Sequence, residues 1–336
     1  MSFLVDLGRS QSDEIGKHTR LKIERRKACG FKSHLWHQRM KTKLLVILGP
    51  TATGKSDLAI RLAKKFEGEV LSADSRQVYK GMDIGTGKIT KKEMRGIPHY
   101  LLDVENPKKR FTVAKFVELA NNAIEKINEK NKLPIICGGT GFYIQALVDG
   151  IILPDVSPDE KLRKKLQKKS CEELMEMLEK LDPIRAKNID RKNARRIIRA
   201  IEISLALGKV PKLKKKNNNF NPLFIGSFLP KEELKEKIKN RLLKRIEIGM
   251  IEEAKKLHKN GLSYKRMDEL GLEYRYLALY LQRKIPKEEM IDKLEKEIGH
   301  FAQRQMTWFK KDKRIKWYNP KDLRKIEREV RKFCGR

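Results

Sequence analysis

The feature that most constrains this chain is an apolar run that ends directly in a glycine-rich loop. Leu44 to Leu48 (LLVIL) is typical of a buried strand, and Gly49-Pro50-Thr51-Ala52-Thr53-Gly54-Lys55-Ser56 follows it at once. That loop matches the P-loop pattern in full. Leu58, Leu62 and Phe66 then recur at helical spacing. Strand, loop and helix in this order predict a site where backbone N–H groups and a helix N-terminus bind phosphate oxygens.

Two side chains of this loop carry chemistry of their own. We expect Lys55 to neutralise phosphate charge and Ser56 Oγ to ligate Mg²⁺, the one cofactor that the sequence suggests. The usual partner of such a loop is an apolar strand that ends in Asp, but Leu133 to Cys137 ends in Cys-Gly-Gly. Asp74 ends a strand instead, and Asp103 does so less clearly. The residues fit a pyrophosphate leaving group, and a nucleotide kinase stays open as an alternative.

The rest of the chain alternates between predicted strands and helices. Further strands are predicted at Glu69 to Ala73, Tyr100 to Val104, Leu133 to Cys137, Phe224 to Leu229 and Ile315 to Tyr318. Helices are predicted around Phe116 to Ile127, at 231–260 and at 286–310. This order predicts an α/β fold with a P-loop NTPase-like parallel sheet and helices on both of its faces.

Two parts of the chain differ from this core in composition and in hydrophobic pattern. Residues 153–219 contain Lys-rich helical segments, no predicted strand and a low-complexity end at 212–219. We predict that they form an all-helical domain inserted into a catalytic core of residues 40–152 and 220–336. The first 39 residues are basic and weakly periodic. They are interpreted as a disordered RNA-binding arm, a transit peptide, or a leader before a true start at Met40; their acidic residues count against the second.

Charge is the main compositional clue to a partner. Lys and Arg total 78 against 44 Asp and Glu, so the formal net charge is +34. Such a field attracts polyanions and favours a nucleic-acid partner, with a merely solvating Lys-rich surface as the alternative. The four cysteines are far apart, which fits neither disulfides nor a zinc site and favours the cytoplasm. No apolar run approaches about 18 residues, so no membrane span is expected, and a monomer is expected.

Beyond the P-loop, the chain resembles the tRNA dimethylallyltransferase family of bacterial type. The resemblance covers roughly residues 43 to 318, and the similar blocks occur in the order of the family. They are Ser72 to Tyr79 with Lys80 to Lys88, Ile97 to Asp103, Gly138 to Tyr143, Arg195 to Glu202 and Gln303 to Phe309. A P-loop alone is shared by many families, whereas this set in register with it is specific.

The resemblance implies transfer of a dimethylallyl group from dimethylallyl diphosphate to N6 of the adenine 3′ of the tRNA anticodon. It implies that Thr51 donates to the bridging oxygen and that Asp74 accepts the N6 proton or holds the amine in line. A Mg²⁺-ligating role is the alternative for Asp74. Arg241 and Arg245 would approach the pyrophosphate, and a solvated helix face is the alternative for them.

The resemblance also implies a set of contacts to the tRNA anticodon stem-loop. These residues are Asp74, Ser75, Arg76, Gln77, Thr140, Arg163, Arg195, Arg196, Ile197, Ile198, Arg199, Gln303 and Arg304. Trp308 is expected in the core. One segment departs from the family: many members carry a Gly-Tyr pair in a tRNA-facing loop, whereas Met267 to Arg275 here separates Gly271 from Tyr274.

Three other functions fit parts of the sequence. A kinase on the same fold would need no such positive charge. A cytokinin-type adenylate isopentenyltransferase would share the P-loop and an Asp at the position of Asp74, but it would need neither the basic insertion nor Arg195 to Arg199. A non-enzymatic RNA-binding module would have no use for Lys55 and Ser56.

Overall fold

The computed structural model describes residues 41–216 and 218–335, so the interpretations of residues 1–39 lie outside the described residues. The strands are β1 (Thr42–Leu48), β2 (Gly68–Ser72), β3 (His99–Tyr100), β4 (Leu133–Gly138), β5 (Ile151–Ile152), β6 (Lys214–Lys215), β7 (Phe220–Ser227) and β8 (Lys316–Tyr318). The first helices are α1 (Lys55–Phe66), α2 (Lys91–Met94), α3 (Val113–Glu129), α4 (Gly141–Val148), α5 (Glu160–Leu166), α6 (Cys171–Leu181), α7 (Pro183–Lys187) and α8 (Ala194–Leu207). The remaining helices are α9 (Lys231–Glu247), α10 (Met250–Lys259), α11 (Tyr264–Leu270), α12 (Leu272–Leu281), α13 (Lys287–Phe309) and α14 (Leu323–Cys334).

Six strands form the central sheet in the order β3-β2-β4-β1-β7-β8. The β2–β3, β2–β4, β1–β4 and β7–β8 pairs are parallel, which confirms the predicted α/β fold. Leu48 pairs with Gly138 and Ser72 pairs with Cys137, so β1, β2 and β4 end at one edge of the sheet. Ligands of open α/β sheets bind outside the carboxyl ends of the strands. The glycine-rich loop and Asp74 follow at this edge.

The run LLVIL is continuously apolar because both faces of β1 are covered. Leu44, Val46 and Leu48 pack with α3 and α4 in one hydrophobic cluster. Leu45 and Ile47 pack with α1 and α14 in another. Alternate residues of a strand point to opposite faces, so a strand between two helical layers needs no polar positions.

The helices α5 to α8 have a hydrophobic cluster of their own, which includes Leu174, Leu178, Ile197 and Ile201. They fall within the residues predicted to form the insertion. The prediction of no strand in 153–219 is wrong at β6, which pairs antiparallel with β5. Strand pairing uses backbone groups, so a Lys-rich segment with no hydrophobic alternation can still form it.

Several other boundaries differ from the sequence-based prediction. The helix expected at 231–260 is two helices, α9 and α10, separated at Gly249, where φ is 105°. The strand expected at Tyr100 to Val104 ends at Tyr100, since Leu101 and Asp103 have left-handed φ angles of 63° and 55°. The segment Met267 to Arg275 is not a loop, because it lies in α11 and α12.

None of the helices in the described part of the chain is both long enough and apolar enough to cross a membrane.

Candidate functional site

The glycine-rich loop between β1 and α1 is held in shape by the core around it. Gly49 has a φ of 143°, and a Cβ there would lie 2.2 Å from the carbonyl oxygen of Ser227. Ser227 Oγ donates to the carbonyl of Thr53 (2.8 Å), and Thr53 Oγ1 donates to the carbonyl of Pro50 (2.9 Å). The loop then turns through Gly54, with φ 81°, into the first turn of α1. Contacts with the core and within the loop therefore fix the backbone of this loop.

Two cations face this loop. Lys55 Nζ donates to the carbonyl of Pro50, and the Arg241 guanidinium donates to Thr51 Oγ1 (3.4 Å) and to the carbonyl of Gly87 (3.1 Å). Burial and, to a smaller extent, the charge of Arg241 lower the pKa of Lys55 to about 8, against the opposing effects of Cys137 and Asp74. Burial and the charge of Arg245 also lower the pKa of Arg241. Two cations that burial destabilises favour an anionic ligand beside them.

The loop opens into a cleft of about 520 Å³, which we call the donor cleft. Its cationic and hydroxyl lining consists of Lys55, Ser56, Arg95, Lys237 and Arg241, joined by Ala52, Gly54, Asp57, Ile60, Gly87, Ile89 and Glu93. Sequence reasoning missed Arg95 and Lys237. Lys237 could have been found, because it lies one helical turn before Arg241 on α9. A cleft with four cationic side chains can hold a compact polyanion such as a diphosphate.

Asp74 follows β2 at the same edge of the sheet. Its Oδ1 accepts hydrogen bonds from the backbone N–H groups of Arg76 (2.8 Å) and Gln77 (3.3 Å). No residue in 41–216 or 218–335 donates to Oδ2. Ser75 and Thr140 are joined beside it, since the N–H of Ser75 donates to Thr140 Oγ1 (3.1 Å). One carboxylate oxygen is thus fixed, and the other remains able to accept a proton.

A second cleft of about 360 Å³ lies between the core and helices α5 and α8, and we call it the acceptor cleft. Five arginines from separate segments line it: Arg76, Arg110, Arg163, Arg195 and Arg266, with Tyr79, Phe111, Thr112, Gln167, Ile198 and Glu269. Three of the five are among the residues predicted to contact tRNA. Guanidinium groups bind phosphate through two parallel hydrogen bonds, so this cleft suits a nucleic-acid backbone.

The comparisons with known proteins agree with this geometry. The family model described as "IPP transferase" matches residues 77–312. The tRNA dimethylallyltransferase of Halothermothrix orenii is 39% identical over 301 residues, which covers 86% of this chain and 92% of that protein. This chain belongs to the IPP transferase family. The tRNA dimethylallyltransferase 2 of Treponema denticola is 43% identical, over 81% of this chain and 92% of that protein. The crystal structure of the tRNA isopentenylpyrophosphate transferase from Bacillus halodurans is also similar. It has a TM-score of 0.67 and 36% identity, over 87% of this chain and 97% of that one.

In this member of the IPP transferase family, Arg241 lines the donor cleft and Arg245 does not. Arg245 is buried, and its guanidinium donates to the carbonyl of Ile84 (2.7 Å) and to Glu273 (3.0 Å). Its neighbour Glu253 accepts from the backbone N–H groups of Asp83, Ile84 and Gly85 and from Tyr274 Oη. These contacts fix the 82–88 loop, whose Gly87 carbonyl accepts from Arg241. Arg245 therefore acts on the donor cleft through this loop.

In the segment Met267 to Arg275, which departs from the family, the side chain of Tyr274 points into the protein. Tyr274 is buried, and a Cβ on Gly85 would lie 2.5 Å from its hydroxyl oxygen. Burial raises the pKa of Tyr274 well above its usual value, which Glu253 reinforces. The side chain thus supports the donor-side loop and does not face an RNA.

Gln305 is a site residue that sequence reasoning missed. It lies on α13 and is buried, with its Oε1 accepting from the N–H of Thr51 (2.8 Å). Its Nε2 donates to the carbonyl of Gly139 (2.9 Å), and a Cβ on Gly139 would lie 2.2 Å from that nitrogen. One amide side chain therefore joins the phosphate loop to the segment that carries Thr140.

The remaining predicted tRNA contacts differ in their environments. Ile197 is fully buried in the insertion, so its side chain cannot touch an RNA, and Ile198 is buried with one edge in the acceptor cleft. Arg199 donates to Glu202 and to the carbonyl of Val156 (both 2.8 Å), whereas Arg196 is exposed.

Helix α13 carries two more predicted contacts and one wrong prediction. Gln303 and Arg304 are exposed there. The prediction that Trp308 lies in the core is wrong, since its side chain is 39% exposed and packs one edge against Gly141. The next residue, Phe309, is the one that is buried in the hydrophobic cluster of the sheet.

Proposed function

We propose that this chain transfers the dimethylallyl group of dimethylallyl diphosphate to N6 of the adenine 3′ of the anticodon in tRNA, and that it releases pyrophosphate. One observation carries the proposal: the segment Asp74 to Gln77 touches both clefts, since Gln77 Nε2 donates to the carbonyl of Gly87 (3.3 Å) in the donor cleft and Arg76 lines the acceptor cleft. The Asp74 carboxylate raises the pKa of Lys55 on the donor side. The neighbouring Arg76 lines the acceptor cleft. A reaction that joins the contents of two clefts needs a catalytic group at their boundary.

The donor cleft stabilises the leaving group. As the C1–O bond of the donor breaks, its electron pair goes to the pyrophosphate oxygen and C1 gains cationic character. The loop N–H groups, Lys55 and Arg241 bind the developing negative charge. Thr51 Oγ1 already lies next to the Arg241 guanidinium, 3.4 Å away, and donates to the bridging oxygen. These groups are in place before the reaction, so little reorganisation is required.

Asp74 serves the acceptor. The lone pair of the adenine N6 forms the new bond to C1, and the proton that N6 loses passes to Asp74 Oδ2. Two backbone N–H groups hold Oδ1, so the carboxylate can orient the amine along the line of attack. An exocyclic adenine amine is a weak nucleophile, so Asp74 contributes both by orienting the amine and by taking its proton.

The donor cleft also suits Mg²⁺. No group of three His, Cys, Asp or Glu side chains within 41–216 and 218–335 could hold a metal by itself. Mg²⁺ commonly binds through substrate phosphates, water and one or two protein oxygens, and the exposed Ser56 hydroxyl at the start of α1 offers such an oxygen. When bound there with a diphosphate, the ion neutralises part of its charge.

The anticodon stem-loop of tRNA approaches the acceptor cleft from the side of the insertion. Arg76, Arg163 and Arg195 line that cleft, and Asp74 accepts from the N–H of Arg76, with Ser75, Gln77 and Thr140 beside it. The target adenine must leave its stack to reach Asp74. Arg195 and Arg196 are exposed at the start of α8, where they can bind backbone phosphates. A monomeric, cytoplasmic enzyme stays a prediction from the sequence.

The experiment that tests this function follows the label from radiolabelled dimethylallyl diphosphate in the presence of Mg²⁺. The acceptors are an anticodon stem-loop RNA with adenine at the target position, the same RNA with guanine there, and AMP. A parallel reaction supplies ATP and measures phosphoryl transfer. Label in the adenine stem-loop alone is expected. Label in AMP would favour an adenylate isopentenyltransferase, and consumption of ATP without label would favour a kinase.

A further inference from the structure

A chain of ion pairs crosses from the core to the insertion along the acceptor cleft. Arg266 on α11 pairs with Glu269 (3.1 Å), and Glu269 contacts Arg110 (3.5 Å) in the loop before α3. Arg110 pairs with Glu160 (2.8 Å), the first residue of α5 in the insertion. Glu160 also lies 3.7 Å from Arg163. Positive and negative groups thus alternate from one side of the cleft to the other.

The arginines of this chain are not equally fixed. Arg266 also donates to Tyr79 Oη and to the carbonyls of Pro107 and Lys109, so backbone acceptors hold it. Arg163 makes two hydrogen bonds to the buried carboxylate of Glu202, at 2.7 and 2.8 Å. Both guanidinium groups are fixed by the fold. Each would keep its position when an RNA enters the cleft.

Arg110 differs from both of them. The partners recorded for its guanidinium are the carboxylates of Glu160 and Glu269, which belong to two separate helices. The side chains of Arg110 and Glu160 are 40% and 55% exposed. An exposed ion pair contributes little to stability, so exchanging one anion for another costs little. A phosphodiester presents the same pair of acceptor oxygens as a carboxylate.

We propose that Glu160 occupies, in the free enzyme, the position of a backbone phosphate of the tRNA, and that Arg110 exchanges this carboxylate for that phosphate. Arg110 is therefore a further tRNA-contacting residue. Glu160 limits the affinity for RNA, because its charge must be displaced from Arg110 as the RNA enters. The carboxylate also keeps Arg110 extended into the cleft before the RNA arrives. The proposal rests on the proposed function, since it assumes that the cleft receives tRNA.

The test measures the Kd of the stem-loop RNA as a function of salt concentration for the full chain and three variants. Glu160→Gln is expected to tighten binding roughly two- to fivefold, because it removes the competing charge and keeps the shape. Arg110→Gln is expected to weaken binding. It should also reduce the slope of log Kd against log salt by about 0.7 to 0.9, the amount for one lost phosphate contact. The double variant should bind like Arg110→Gln, since Glu160 acts through Arg110.

Glu179→Gln is the matched control for charge. Glu179 lies in the same insertion and pairs with an exposed arginine, Arg191, at 2.7 Å, but neither residue lines the acceptor cleft. It removes the same charge as Glu160→Gln, so equal tightening by both variants would overturn the exchange. Weaker binding by Glu160→Gln would also overturn it. If the wild-type chain labels the stem-loop but either of these two overturning results is found, the exchange is wrong and the proposed function stands. If the wild-type chain neither binds nor labels the RNA, the proposed function fails and the exchange fails with it.

Discussion

The donor and acceptor clefts are stabilised by different kinds of contact. In the donor cleft, the polar groups of the glycine-rich loop are held by buried partners from β7 and α13, namely Ser227 and Gln305. In the acceptor cleft, Arg163 and Arg266 are fixed in a comparable way, but Arg110 is held by carboxylates, and its pair with Glu160 is half exposed to solvent. The first site is therefore shaped by the fold, whereas the second also contains a charged side chain that can exchange partners.

This difference separates two kinds of functional effect. Groups that the fold positions at the reacting atoms act in the transition state, so their loss should lower kcat. Groups that bind a polyanion through exchangeable ion pairs should alter tRNA affinity and its salt dependence while leaving kcat little changed. Each variant below tests whether the two clefts can be perturbed separately.

The largest effect is expected at Asp74, on the boundary between the clefts. Asp74→Asn keeps an oxygen for the N–H groups of Arg76 and Gln77 but cannot take the N6 proton. We expect kcat to fall by about 10²- to 10⁴-fold, the range for loss of a general base. The affinity for stem-loop RNA should stay within a few-fold. If Asp74→Asn lost RNA binding but kept kcat, Asp74 would be a docking residue. The effects on kcat and on RNA affinity would then not separate as expected.

A smaller effect is expected at Gln305, which belongs to the donor side. Gln305→Ala leaves the Thr51 N–H and the Gly139 carbonyl without their partner at a buried position. An unsatisfied buried polar group costs about 1–3 kcal/mol, so single-turnover transfer should slow by about 10- to 100-fold. RNA affinity should not change. The control is Gln282→Ala, since Gln282 donates only within its own helix, to the carbonyl of Ala278. Equal losses in both variants would point to general destabilisation.

The sequence predicted the contiguous part of the donor side better than the contacts that distant segments supply to it, for a physical reason. Lys55 and Ser56 are recognisable because the loop is contiguous in sequence and lies between a strand and a helix. Gln305 was missed because its partners, Thr51 and Gly139, are 254 and 166 residues away along the chain. A polar residue on an amphipathic helix gives no sign of such a contact.

The same limitation explains why the predictions for Arg245 on α9 and Trp308 on α13 differ from the structure. Arg241 and Arg245 are one helical turn apart, so periodicity treats them alike, but the Ile84 carbonyl and Glu273 hold Arg245 away from the donor cleft, which Arg241 lines. Trp308 continues the apolar stripe of α13, and its spacing therefore indicated the core. The stripe does not show which residue of the last turn packs on the sheet, and Phe309 takes that position.

The pH dependence offers a third way to separate the clefts. The pKa of Lys55 is lowered to about 8 by burial and by Arg241, so Lys55 loses its charge as the pH rises through that value. The neutral amine cannot stabilise a diphosphate, and kcat/KM for the donor should fall by up to about tenfold per pH unit above it. RNA affinity should show no matching transition. Lys55→Arg should lower activity and remove this transition, and a flat wild-type profile would contradict the assignment.

The smallest effect is expected from neighbouring arginines at the start of α8. Arg195 lines the acceptor cleft, whereas Arg196 is exposed outside it. Arg195→Ala should weaken RNA binding several-fold and reduce its salt slope by about 0.7 to 0.9, since one phosphate contact is lost. Arg196→Ala removes the same charge one residue away and should have the smaller effect on both quantities. Because long-range attraction depends on net charge and is nearly equal in the two variants, a difference between them isolates contact inside the cleft. If both variants behave alike, the RNA is held by the general field of the basic surface, and the acceptor cleft loses the specific role that distinguishes it from the donor cleft.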